Sequence, residues 1–96
     1  LLSRAHHEEA EKLLKRGIGF AAIHWATAAE LDVGPRYEEV LGGWFNFAFC
    51  GLKVDTRPLE QIDASHPLCL GWNTYDIRDE FYLKMKFHPK AKPILQ

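Results

Sequence analysis

The feature that most constrains the fold of this chain is a short apolar run, residues 20–23, which lies between Gly19 and His24. A continuous run of this length, bounded by glycine and polar residues, is typical of a strand that is buried on both faces. Strands of that kind occur in parallel sheets that helices cover on both sides. The pattern therefore predicts a buried strand over residues 19–25 and an α/β fold class.

Helix signals lie on both sides of this predicted strand. Residues 3–16 form an amphipathic pattern, with Ser3 as the predicted N-cap and Gly17 as a left-handed C-terminal cap. A second helix is expected to begin near Pro35 and to stop at Gly42. A helix that returns directly into a buried strand is the arrangement expected of an α/β sheet.

Two further segments alternate between apolar and polar residues, 52–57 and 81–88, and a third apolar segment begins at residues 93–95. Strict alternation predicts strands with one exposed face. The chain therefore opens on a helix that should follow an earlier strand, and it stops inside a later one. We expect residues 1–96 to be the central part of a larger α/β domain that is truncated at both ends. The remainder of that domain is then an expected partner of these residues.

The composition disfavours several classes of partner. Twelve Lys and Arg against 13 Asp and Glu leave a net charge of −1, and the basic residues are scattered, so neither nucleic acid nor an anionic membrane is an expected partner. No apolar run is long enough for a transmembrane helix. Cys50 and Cys69 are predicted to be reduced, buried thiols, which indicates a reducing, cytoplasmic location.

Polar side chains that could carry chemistry follow the predicted elements: His24 with Thr27, then His66, then Asp79 and Glu80 with Tyr82. Ligands of open α/β sheets bind beyond the carboxyl ends of the strands, where His24 is predicted to lie. A histidine with two carboxylates can share general acid–base duty or bind a divalent metal, although no ligand spacing specifies a metal. The adjacent His6 and His7 point to different faces of the first helix, so they are expected to be ordinary helix histidines.

Each of these candidates also has a purely structural interpretation. His24 could bond a neighbouring loop, and His66 before a proline could be a turn residue. Asp79 and Glu80 could form the charged start of a strand. The aromatic residues 44–49 could stack on a sugar or pack in the core.

Four sequence blocks, taken together, resemble the ThuA-like (trehalose utilisation) family. They are residues 16–24 (RGIGFAAIH), Tyr37 followed by residues 41–45 (LGGWF), His66-Pro67 followed by Gly71, and residues 77–82 (IRDEFY). The resemblance implies a flavodoxin-like three-layer sandwich, here an incomplete central portion with a mixed sheet, related to class I glutamine amidotransferases. His24 stands where an amidotransferase has its cysteine, so glutamine hydrolysis is not expected.

The resemblance also implies a role in the utilisation of trehalose or another disaccharide, with a sugar or keto-sugar as the small-molecule substrate. The residues that the resemblance carries over are His24, His66, Asp79, Glu80 and Tyr82. Together with the polar and aromatic candidates above, they give candidate catalytic roles to His24, Asp79 and Glu80, and substrate-binding roles to Thr27, Trp44, His66 and Tyr82. The chain departs from many relatives because it has no histidine between Phe45 and Lys53 and no Gly-rich strand with a histidine downstream. The alternative is a non-catalytic α/β interaction or scaffold module of a larger multidomain protein.

Overall fold

A computed structural model of the chain describes residues 4–96, with side chains from residue 6 onward. The regular elements, in chain order, are α1 (Arg4–Lys15), α2 (Gly34–Leu41), β1 (Gly43–Trp44), β2 (Gly51–Leu59), β3 (Tyr75–Leu83) and β4 (Lys86–Phe87), with short 3₁₀ helices at His24–Thr27 and Pro67–Cys69. Strands β1 and β4 form one two-stranded antiparallel sheet, and β2 and β3 form another. The chain thus mixes helices and strands in a way that is compatible with the α/β class.

The chain divides into two compact units. Unit 1 comprises the described residues up to Gly51 together with Lys84–Ala91, and unit 2 comprises Leu52–Leu83 and Lys92–Gln96. Each of the two sheets lies within one unit, because β1 and β4 belong to unit 1 while β2 and β3 belong to unit 2.

The helix boundaries of unit 1 are the ones that local signals predict. Gly17 follows α1 in the left-handed conformation, with φ of 81°, while the predicted N-cap Ser3 lies outside the described residues. Pro35 lies in the first turn of α2, where its missing N–H costs no hydrogen bond. Gly42 caps the other end with φ of 83°, and its N–H donates to the Glu38 carbonyl. The predicted end of α1 and the predicted start and end of α2 are therefore confirmed.

The core of unit 1 is small and aromatic. Ala29, Tyr37 and Trp44 are buried together, and Phe49 packs edge-on against the Trp44 ring at 5.0 Å between ring centres. The ammonium of Lys86, which pairs with Trp44 across the β1–β4 sheet, lies 4.4 Å from the Phe49 ring centre. The core therefore joins α2 to β1 and β4.

The predicted buried strand over residues 19–25 is wrong. Residues 18–23 have no regular structure, Ile23 is 82% exposed, and the chain then turns into the 3₁₀ helix at His24–Thr27. A strand buried on both faces needs hydrogen-bonding neighbours, and neither sheet of the described chain includes this segment. A parallel bridge instead forms a few residues later, between Ala28 and Phe45.

The alternating segment 52–57 does form a strand, within β2 of unit 2. Its predicted division into a buried and an exposed face is wrong, since Val54 is exposed while Asp55 is half-buried. A two-stranded sheet has too little material to cover a whole face. The segment at residues 93–95 pairs with the chain near Gln61 through an antiparallel bridge at Leu95.

The predicted strand over residues 81–88 is interrupted in its middle. Strand β3 ends at Leu83, Lys84 adopts a left-handed backbone with φ of 59°, and β4 begins at Lys86. A left-handed residue cannot continue a strand, so the chain changes direction there. Phe87 belongs to the apolar face of the predicted strand, which alternation predicts to be buried, but its side chain is exposed.

Two general expectations can be compared with the described residues. Cys50 and Cys69 are both free and buried, as the prediction of reduced core thiols requires. Within residues 4–96, no helix combines the length and the apolar character that crossing a bilayer demands.

Candidate functional site

Unit 1 has a concave surface, an aromatic cleft of about 480 Å³, beside the 3₁₀ helix at His24–Thr27. We define the aromatic cleft by its aromatic walls and its two polar side chains: Trp25, Phe45, Phe47, Glu30 and Asn46. Its lining is mostly apolar with few polar groups, which is the usual make-up of a small-molecule site.

The three rings of the aromatic cleft contact one another in pairs. Trp25 meets Phe45 edge-on, with ring centres 5.6 Å apart, and the centres of Phe45 and Phe47 are 4.9 Å apart. Phe45 is buried and forms the floor, whereas Trp25 is 44% exposed and Phe47 is 65% exposed. The aromatic cleft therefore combines two exposed aromatic side chains with a buried one.

Asn46 holds the cleft in shape through its amide group. Its Nδ2 donates to the Ala29 carbonyl at 2.8 Å, and its Oδ1 accepts from the Ala48 N–H at 2.8 Å. Because both ends of the amide are engaged, Asn46 positions the loop that carries Phe45 and Phe47. Glu30, which is exposed, is the ionisable side chain of the cleft.

His24 directly precedes Trp25 of the aromatic cleft, does not itself line the cleft, and has an uncommon backbone conformation. Its φ is 54°, and its imidazole meets the Trp25 ring edge-on with ring centres 6.4 Å apart. Thr27 Oγ1 donates to the His24 carbonyl at 2.9 Å and so closes this turn. The two residues predicted to follow the strand are thus brought together, although a 3₁₀ helix and not a strand carries them.

The carboxylate candidates lie on β3 in unit 2. Glu80 and Tyr82 are two residues apart on the strand and share one face, where the Tyr82 hydroxyl donates to Glu80 Oε2 at 3.4 Å. Desolvation raises the pKa of the Tyr82 hydroxyl, and the negative charge of Glu80 raises it further. Asp79 Oδ1 accepts from the Glu80 N–H at 2.8 Å. These residues form the middle of a strand and not its charged start.

Two other candidate residues, His66 and Trp44, have structural roles. His66 caps the 3₁₀ helix at Pro67–Cys69, and its Nδ1 accepts from the Leu68 N–H at 3.2 Å, which is the turn role. Trp44 is only 3% exposed and donates from Nε1 to Glu38 Oε2 at 3.3 Å. A ring so deeply buried offers no face to a sugar, so this tryptophan packs in the core.

The candidate residues are thus divided between the units. His24, Thr27 and Trp44 belong to unit 1, and unit 2 contains the others, namely His66, Asp79, Glu80 and Tyr82. A single site built from all of them stays a prediction. No group of three or more His, Cys, Asp or Glu side chains within the described part of the chain is arranged to hold a metal ion.

Sequence reasoning assigned no site role to Trp25, and it considered Phe47 only as one of the aromatic residues 44–49 that could stack on a sugar. The available signal was an aromatic residue directly after His24, together with the alternation of aromatic residues at positions 45, 47 and 49. That alternation places Phe45 and Phe47 in one cleft, but nothing in the pattern specifies which aromatic residue of the segment remains exposed.

Comparisons with known proteins give no match to this chain. No protein-family model matches the chain, and no match is found among curated proteins or among solved structures.

Proposed function

We propose that this chain is a ThuA-like domain, of flavodoxin-like descent, that binds or processes a disaccharide or keto-sugar and does not hydrolyse glutamine. The observation that carries the proposal is the aromatic cleft, whose Trp25 directly follows the block of residues 16–24 that resembles the family and meets the His24 ring edge-on. The free buried thiols accord with the cytoplasmic location that we propose for it.

Accessible aromatic faces beside polar groups suit a sugar ring, which has apolar C–H faces and a hydroxylated rim. Trp25 and Phe47 supply exposed rings, and Glu30 supplies a carboxylate that can accept hydrogen bonds from hydroxyls. A cleft of about 480 Å³ lies within the usual range for small-molecule sites. In this proposal Trp25 and Phe47 take over the stacking role that was predicted for Trp44.

His24 is the proposed acid–base group. A left-handed conformation at a residue other than glycine costs on the order of 1–3 kcal/mol and is found disproportionately at functional sites. In the same proposal Thr27, which bonds the His24 carbonyl, contacts the substrate. The roles predicted for Asp79, Glu80, His66 and Tyr82 stay predictions. The histidine in place of an amidotransferase cysteine is the reason for excluding an acyl-enzyme mechanism.

The proposal can be tested by calorimetric titration of the full chain with trehalose and with an oxidised keto-disaccharide. Phe47→Ala should weaken binding by about 5–30-fold, which corresponds to roughly 1–2 kcal/mol of stacking and burial. Phe87→Ala is a matched control, because Phe87 is 64% exposed against 65% for Phe47 and lies outside the cleft. Equal affinities of the two variants would contradict a sugar site in the aromatic cleft.

The role of His24 needs a separate measurement. His24→Ala should abolish turnover of the keto-disaccharide while the calorimetric affinity changes by less than about threefold, since stacking supplies most of the binding. Unchanged turnover would remove His24 from the mechanism.

A second candidate function is a non-catalytic interaction or scaffold module. The exposed apolar side chains of Ile23 and Leu31, near the cleft in sequence, favour it, because exposed apolar surface often marks a protein contact. A thermal-shift series with disaccharides and with Zn²⁺, Mn²⁺ and Mg²⁺ separates the two functions. A ligand at 100 times its Kd stabilises a protein by roughly 2.7 kcal/mol, so the absence of any shift would support the interaction module.

A further inference from the structure

The outer edge of β3 offers a place for a further strand. β3 pairs with β2 on one side, and no backbone hydrogen bond joins its other side to another segment of residues 4–96. It is nine residues long, against about five or six for an ordinary strand, and none of its side chains is buried. Such an edge presents a row of N–H and C=O groups that can pair with another chain.

The outer edge of β2 is protected, whereas that of β3 is not. Pro58 of β2 has no N–H, and proline within a sheet is confined to edge strands, where its nitrogen faces away from the partner strand. β3 contains neither proline nor glycine. A further strand is therefore expected on β3 and not on β2.

The sequence of β3, YDIRDEFYL, is complementary to itself when two copies run antiparallel about Asp79. In that register Arg78 of each copy lies opposite Glu80 of the other. Likewise, Ile77 of each copy lies opposite Phe81 of the other. Residues directly opposite in an antiparallel pair share a face, with Cβ atoms about 4.5–5.5 Å apart, so opposite charges meet and apolar side chains meet. One unfavourable pair remains, that of the two Asp79 carboxylates.

Neighbouring registers lack this match. Opposite residues of an antiparallel pair have the same orientation towards the shared edge, so two copies of one strand pair about a residue and not between two residues. Centring on Arg78 places this residue against itself and Asp76 against Glu80. Centring on Glu80 places that residue against itself and Asp79 against Phe81. Because like charges directly opposite destabilise a pair, complementarity selects the register centred on Asp79.

We propose that β3 is a homodimer interface, in which two copies of the chain pair antiparallel through β3 in the register centred on Asp79. The contact is self-complementary, as a twofold dimer requires, and it joins the two β2–β3 sheets into one of four strands. Glu80 already has partners, among them the Tyr82 hydroxyl, but a carboxylate has about four acceptor sites and can also bind Arg78 of the other copy. The interface does not depend on the proposed sugar function.

The first test is sedimentation equilibrium of the full chain between about 10 µM and 1 mM, since one strand pair is a small interface. A monomer–dimer equilibrium is expected. Arg78→Glu should weaken it at least about tenfold, because a carboxylate would then face Glu80 in both halves of the dimer. Lys92→Glu makes a like change of charge at an exposed position outside β3 and should leave the dissociation constant unchanged. A chain that stays monomeric at the highest concentration, or a dimer that Arg78→Glu does not weaken, would overturn the proposal.

A second variant with the opposite charge change tests the register. Glu80→Arg should weaken self-association as well, but a mixture of the Arg78→Glu and Glu80→Arg chains should form a heterodimer, in which every carboxylate again faces a guanidinium. If the mixture associates no more tightly than each variant alone, the register is refuted.

A third variant keeps the register testable if Glu80→Arg does not fold. Asp79→Asn replaces an exposed side chain and should tighten the homodimer by about threefold, since it removes the two facing charges. Weakening by Arg78→Glu together with tightening by Asp79→Asn supports the pairing about Asp79, and any other combination refutes it.

Discussion

The indole of Trp44 lies directly against Gly34, in the space that a side chain on Gly34 would occupy. A Cβ placed on Gly34 would overlap three atoms of the six-membered ring of that indole. Gly34 is the first residue of α2 and is buried, so the absence of its side chain is what lets the Trp44 ring pack under the helix. Close approach of α2 and β1 is therefore specified by one glycine.

Replacing Gly34 by Ala should destabilise the protein by about 1–3 kcal/mol, because overpacking forces the indole or the helix to move. The measurement is the free energy of unfolding in urea. Gly19→Ala is the control, since a Cβ there meets no atom within 4 Å, and it should change stability by less than about 0.5 kcal/mol. A tolerated Gly34→Ala variant would contradict the packing of Trp44.

Asn46→Ala should destabilise the chain by about 1–3 kcal/mol, since it leaves the Ala29 carbonyl and the Ala48 N–H without their partner. The loop that carries Phe45 and Phe47 should also lose order, which amide hydrogen exchange of residues 45–48 would detect. The exposed Asn73 provides the control, and Asn73→Ala should be neutral within about 0.5 kcal/mol. Unchanged exchange in the Asn46 variant would remove this side chain from the support of the aromatic cleft.

Asp55 on β2 should titrate at an unusually low pH. Its carboxylate accepts from Lys53 Nζ at 2.8 Å, from the Thr56 N–H and from Arg57, and these partners lower its pKa from 3.8 to about 2, with Lys53 contributing most. Since folding lowers this pKa, the resulting stabilisation is present above pH 3.8 and is lost as the pH falls through about 2.

The pKa of Asp55 can be measured from the ¹³C shift of its carboxyl carbon as a function of pH. Lys53→Gln should raise it towards 3.8, because the largest cause of the shift is removed. Lys92→Gln, an exposed lysine that makes no contribution to this shift, should leave it unchanged. A value near 3.8 in the unmodified chain would show that the contacts of Asp55 do not persist in solution.

The backbone conformation at Lys84 should favour glycine at this position. Its φ of 59° costs an ordinary residue about 1–2 kcal/mol, whereas glycine adopts this conformation without steric cost. Lys84→Gly should therefore be neutral or stabilising by up to about 1 kcal/mol in urea unfolding, and Lys84→Val should be destabilising by about 1–2 kcal/mol. At Lys92, an exposed residue in an irregular segment without positive φ, valine and glycine should differ less. The same small difference at both positions would argue against the turn between β3 and β4.

The parts of the fold that could be predicted are those whose signals act over a few residues. Gly17 ends α1 and Gly42 ends α2 because each adopts a left-handed conformation that other residues avoid. Pro35 marks the start of α2 because its ring suits a first helical turn. The alternation of residues 52–57 likewise indicates β2, since a period of two arises from the strand itself.

The candidate site could be predicted only in part for the same reason. The hydrogen bond from Thr27 to the His24 carbonyl follows from the short separation of the two residues in the sequence. The same holds for the hydrogen bond from Tyr82 to Glu80 on one face of β3. Which tryptophan stays exposed does not follow from local pattern, because Trp25 and Trp44 both lie in segments that mix apolar and polar residues. Gly34 decides that question by admitting Trp44 into the core.

By itself, the sequence determined the helix ends, the identity of β2 and the short-range pairs, because capping, turn formation and strand alternation depend on adjacent residues. The tertiary structure alone decided that residues 18–23 form no strand, that Trp25 and Phe47 line a cleft, and that His7 is buried. Strand pairing and burial depend on which distant segment of the chain lies alongside. A contact between residues far apart in the chain produces no periodic pattern in the sequence around either residue.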